Sequence, residues 1–171
     1  MMFVTAAVGI LAAAAVPQLS ATIEHTRTIS AARYLAARLA LARSQAVAHS
    51  ANVAVLLTIT GDTAMVATYV DENGNGVRTR DIAAGIDRPA GAPVRLSDLF
   101  PHVAVSLNDP VDSLAITTVL MSFTPLGTAS SGTLYLRGRD GSQYAVRVLG
   151  ATGRTRVLRY AAATRAWVEV L

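Results

Sequence analysis

The apolar positions of this 171-residue chain fall into three regimes. Positions 1–19 (MMFVTAAVGILAAAAVPQL) are almost unbroken in apolar character, carry no charge, and have Thr5 and Gln18 as their clearly polar members. At helical rise this stretch spans close to the hydrocarbon core of a bilayer, which takes about 20 residues. It is expected to be the transmembrane half of an N-terminal helix. A cleavable signal segment, which would want basic residues ahead of the apolar run, and a buried core helix are the competing readings. Residues 20–50 form the second regime, an amphipathic continuation of that helix. Ile29, Ala32, Leu35, Ala36, Leu39, Ala42, Ala46 and Val47 recur at three-four spacing, while Arg27, Arg33, Arg38 and Arg43 fall mostly off that stripe. Pro17 removes one backbone donor and should kink the combined helix.

In the third regime, residues 51–171, short β-branched runs alternate with turn residues. Strands are expected over 52–60, 64–70, 103–107, 115–123, 133–137, 143–149, 154–160 and 166–170. Gly61-Asp62 and Asp140-Gly141 mark hairpins, the second being the stronger signal. Strands without helical patterns between them argue for antiparallel sheets. Residues 88–101 hold three of the six prolines and read as a long loop. The fold class is therefore α+β: a long N-terminal helix packed by its Ala/Leu stripe on an antiparallel sheet or sandwich.

Composition narrows the chemistry. Cysteine is absent, which removes disulfides, thiolate nucleophiles and Cys-based metal sites. The three histidines, His25, His49 and His102, lie far from metal-ligand spacing. No Gly-x-Ser-x-Gly elbow, phosphate-cradling glycine loop or dinucleotide fingerprint occurs. An enzyme with a small-molecule substrate and a cofactor finds no support. All 15 basic residues are Arg, and the net charge is +4. The charge is uneven: +3 over residues 20–51, −4 over 52–112 and +5 over 113–171.

Two candidate sites follow. Asp71, Asn73 and Asn75, with Gly76 for the turn and Asp81 further on, resemble the first half of a calcium loop. Ile82 stands where the closing bidentate Glu belongs, so calcium would bind weakly, and an Asn-Gly turn between strands is the plain alternative. In the basic third, Arg137 with Arg139 and Arg154 with Arg156 each share a side by period two. With Arg159 they could form a stripe that contacts phosphates, flanked by Tyr135, Tyr144 and Tyr160 as stacking surfaces. Ordinary surface cations in a lysine-free chain are the alternative.

Residues 9–19 (GILAAAAVPQL) resemble the N-terminal helix of type IV pilins and pseudopilins. Residues 37–48 (ARLALARSQAVA), 71–76 (DENGNG) and 121–132 (MSFTPLGTASSG) resemble the GspH/FimT branch of minor pseudopilins. Gly153-Arg154-Thr155-Arg156 falls where that branch often carries a Gly-Arg turn into a last strand. The resemblance implies a single-pass protein of the bacterial inner membrane with a periplasmic β-domain. It implies a precursor cleaved by a prepilin peptidase and methylated, then assembled with other pseudopilins or pilins. GspH-like members serve type II secretion. FimT-like members serve type IV pili, some of them taking up DNA through C-terminal arginines that include a Gly-Arg-x-Arg element. Gly9 and Pro17 become helix-packing positions, with Ala6, Ala12 and Ala13 permitting close approach.

The family pattern also includes a basic leader, a Gly before the cleavage point, then Phe and a Glu. Aligning Gly9 and Pro17 puts that Glu just before Met1, so the sequence start is expected to be internal to a longer precursor. A lost leader would also resolve a conflict of charge. Arg27 and Arg33 follow the apolar run, where the positive-inside rule would hold the bulk of the chain in the cytoplasm.

Overall fold

The computed structural model describes the backbone of residues 2–61, 63–109 and 116–170, and side chains from residue 22 onward except at 116. One helix, α1 (Met2–His49), opens the chain. It is followed by β1 (Val53–Thr60), β2 (Thr63–Val70), the short α2 (Thr79–Ala83), β3 (Arg88–Pro89), β4 (Val94–Arg95) and the single turn α3 (Leu96–Leu99). Then come β5 (Ala104–Ser106), β6 (Ile116–Phe123), β7 (Gly132–Arg137), β8 (Gln143–Leu149), β9 (Arg154–Ala161) and β10 (Ala166–Glu169). The first sheet runs β3-β2-β1-β6, with β4 also paired to β2. The second runs β10-β9-β8-β7-β5, and every pairing is antiparallel.

Alternation along the strands makes the core. Val53, Val55, Leu57 and Ile59 point inward from β1, Leu134 and Leu136 from β7, and Tyr144, Val146 and Val148 from β8. Against them lies one stripe of α1: Thr28, Ala31, Ala32, Leu35, Leu39, Ala42 and Ala46 are buried. The helix touches β1 and β6 of the first sheet and β7, β8 and β9 of the second. It therefore lies over the seam where the sheets meet. Four alanines in the stripe let the backbone settle close to the sheets, since interaxial distance follows side-chain size.

The structure corrects three expectations. Residues 88–101 are not a featureless loop. They hold β3, β4 and α3, whose two-residue pairings with β2 are too short to leave a periodic pattern. Pro89 is tolerated because β3 is an edge strand. The strands are not free of intervening helix, since α2 and α3 lie among them. Val47 does not belong to the buried stripe and is half exposed; a helix turns about 100° per residue, and Ala46 takes the inward place.

The expected span over residues 1–19, with its packing positions Gly9 and Pro17, has side chains outside the described residues. Among the described residues no helix is long and apolar enough to cross a membrane.

The stripe gives a direct prediction. Leu35→Ala and Leu39→Ala each remove a side chain that is 1% exposed and should cost roughly 2–5 kcal/mol in chemical denaturation. Leu41→Ala, at 48% exposed, should cost under about 1 kcal/mol.

Candidate functional site

The two ends of the β-domain differ in what they hold against α1. At one end, where α1 enters the domain, the His25 ring meets the Tyr144 hydroxyl (3.2 Å) and its Nδ1 lies 3.9 Å from Asp140. Burial pushes the Tyr144 phenol above its ordinary pKa, with Asp140 adding to the rise against the opposing Arg159 and Arg33. The β7–β8 turn sits here too. Gly138 packs against the Thr28 hydroxyl so closely that a Cβ would collide with it.

At the other end, Arg43 binds two loops at once. Its Nε donates to the Gly127 carbonyl at 3.2 Å. Gly153, in left-handed backbone at φ 60°, abuts both that carbonyl and the Arg43 side chain, and a Cβ there would lie 2.9 Å from Arg43 Cδ. The TPLG turn and the β8–β9 turn are thus stapled together by a helix arginine, and Leu126 at the tip of the former is 91% exposed.

The five candidate arginines do not form one stripe. Arg154 and Arg156 are exposed on one face of β9, and Arg156 registers opposite Arg147 of β8. Arg156 is also paired with Glu169 at 3.1 Å. Arg159 is odd-numbered on the same strand, so it points the other way, toward the side on which its register partner Tyr144 is buried. Arg137 closes β7 and Arg139 lies in the turn beyond it, at the Thr28 end. Of the tyrosines, Tyr144 is fully buried and offers no stacking surface. Tyr135 and Tyr160 flank Trp167, with ring centroids 5.5 and 5.4 Å away, and Trp167 Nε1 donates to Asp109 at 3.2 Å. No sequence pattern marks Trp167; its place opposite Tyr160 follows only from the β9–β10 register.

In the 71–76 loop, the Asp71 carboxylate accepts four hydrogen bonds. Oδ2 accepts from Gly76 N–H (2.7 Å) and the Asn52 amide (2.8 Å), and Oδ1 from Asn73 and Gly74 N–H. Burial alone would raise its pKa, but these four donors outweigh it and hold the carboxyl below the ordinary value. Asn73 caps Asn75 N–H, Asp81 sits beside Arg80 at 3.4 Å, and Asp81 and Asp87 are buried. Among the described residues no group of three His, Cys, Asp or Glu side chains converges on a metal position.

The depressed pKa fixes a sign. A carboxyl lower in the folded than in the unfolded state stabilises the fold above the unfolded pKa of about 3.9, and that contribution is lost as pH falls through the folded value. In acid denaturation, Asp71→Asn should therefore be less stable than the parent at pH 7, with the gap narrowing below about pH 4. An equal gap across that range would contradict the assignment.

The sequence profile of the family described as type II transport protein GspH matches residues 31–153. No curated protein matches the chain. Among solved structures, the minor pseudopilin EpsH from the type 2 secretion system of Vibrio cholerae is similar. The superposition has a TM-score of 0.53 at 14% identity and covers 78% of this chain and 97% of that one. At that identity the likeness is one of fold.

Proposed function

The chain belongs to the GspH family of type II transport proteins, and from that premise we propose that it is a minor pseudopilin, a structural subunit of a type II secretion pseudopilus. Its apolar residues 1–19 sit in the inner membrane and among neighbouring subunits, and its β-domain faces the periplasm. The observation that carries this reading is the division of labour along α1. From Thr28 to Ala46 one stripe of the helix is consumed by the two sheets, whereas the sequence of residues 1–19 is apolar and carries no charge to solvate. Small residues Ala6, Gly9, Ala12 and Ala13 suit close helix packing in lipid-like surroundings. The role is assembly rather than catalysis.

Deleting the gene should abolish export of the type II substrates of its cell, and re-expression should restore it. Normal export with pili or DNA uptake lost would instead assign the subunit to a type IV pilus tip.

A second reading, contact with DNA during uptake, is favoured by one surface. Arg147, Arg154 and Arg156 are exposed on the outer face of β8 and β9, the face that also carries Tyr160 and Trp167. If that face binds duplex DNA, affinity of the full chain should fall by roughly 0.9 log units per phosphate contact for each tenfold rise in salt. Arg154→Ala/Arg156→Ala should flatten that slope by about two contacts. No binding at low salt leaves these residues as surface cations.

A further inference from the structure

At the Thr28 end of the domain lies a cavity of about 380 Å³, lined among others by Thr63 at the start of β2, Ser97 of α3, His102 before β5, Arg137 at the end of β7, and Gly138 and Arg139 in the turn that follows. Its volume falls in the range of about 300–1,000 Å³ typical of small-ligand sites, larger than a bare ion needs. Two guanidiniums, an imidazole and two hydroxyls supply its polar groups. Among the described residues no carboxylate lines it, and neither the Arg137 nor the Arg139 side chain has a hydrogen-bond or ion-pair partner. The nearby Asp140 is turned elsewhere, accepting from Ser142 N–H and hydroxyl and facing His25. His102, one of the lining residues, holds a left-handed backbone, φ 64°, which non-glycine residues adopt rarely.

Arginine side chains with neutral hydroxyl donors, and with no acid beside them among the described residues, are the chemistry of a phosphate receptor. We propose that this cavity binds a phosphate-bearing group, the headgroup of an anionic phospholipid. The choice of lipid rests on the membrane-anchored reading above and on placement. From Leu19, the end of the apolar stretch, to Thr28, which touches the β7–β8 turn, a helix rises only about 14 Å. Headgroups occupy the first several ångströms outside the hydrocarbon core, and an arginine side chain covers much of the remaining gap. The domain would then be held upright on the membrane by a second attachment before it enters a filament. Arg154 and the Arg43 node, at the far end, take no part.

The test uses the full chain in a zwitterionic detergent, titrated separately with inorganic phosphate and with soluble short-chain phosphatidylglycerol, following the amide resonances of Thr63, His102 and Gly138. Saturable shifts with both probes are expected, weakened by about tenfold for each guanidinium removed in Arg137→Ala and Arg139→Ala. Arg154→Ala/Arg156→Ala should bind as the parent does. Saturation by the lipid alone also supports the proposal, since the glycerol then contributes. Saturation by phosphate alone overturns the lipid source in favour of free phosphate. No saturation by either probe, or equal weakening by the far-end variant, overturns the site. A short DNA duplex that displaces the lipid through Arg137 and Arg139 would reassign the cavity to nucleic acid. Phosphate binding needs neither membrane nor filament, so its outcome is read independently of whether the chain is a pseudopilin.

Discussion

The stripe of small and medium apolar residues on α1 is the surface on which both sheets close. Neither sheet is large, and each would expose one apolar face if left alone. The helix covers both faces at once because its alanines keep it low over the seam, with Leu35 and Leu39 filling the space between β1 on one side and β8 and β9 on the other. The hydrophobic term is non-directional, so the stripe alone would tolerate sliding along the helix axis. Register comes from polar contacts at its two ends: Thr28 and His25 against the β7–β8 turn, and Arg43 against the Gly127 and Gly153 turns.

This arrangement leaves the domain with two chemically different poles. The pole near residue 28 carries the cavity lined by Arg137 and Arg139. The opposite pole is closed by glycine-rich turns packed on Arg43 and presents an exposed leucine. The outer face of the second sheet is a third surface, aromatic at one side and basic at the other.

The fold was largely legible because it is built from local signals. Eight strands announced themselves through β-branched runs, and the Asp140-Gly141 turn placed β7 beside β8. What was not legible depends on pairing across long separations. Nothing in residues 88–101 shows that Arg88 and Val94 will lie against β2. Period two puts Arg154 and Arg156 on one side of β9 and the exposed Arg159 on the other, but only the sheet order shows that Arg159 shares the side of Tyr144 and that Arg137 lies at another pole. Tyr144 was indistinguishable from Tyr135 until the Leu136–Tyr144 register set one face of β8 toward the helix. The cavity was invisible for the same reason, since Thr63, Ser97, His102 and Arg137 come from four separate segments.

The first element of the chain is covered by nearly the last. Val146, Val148 and Val157, which pack in one core with Leu35 and Leu39, lie more than a hundred positions later. Contacts of such separation form late, because the intervening loop must be closed before they contribute. If residues 1–19 enter the bilayer as they are made, the following helix must wait, its stripe uncovered, until the C-terminal strands have been delivered to the same side. During that interval the Ala/Leu face is exposed to any apolar surface nearby. Translocation and folding are then a single ordered event, and the domain becomes a competent building block only when its last third arrives.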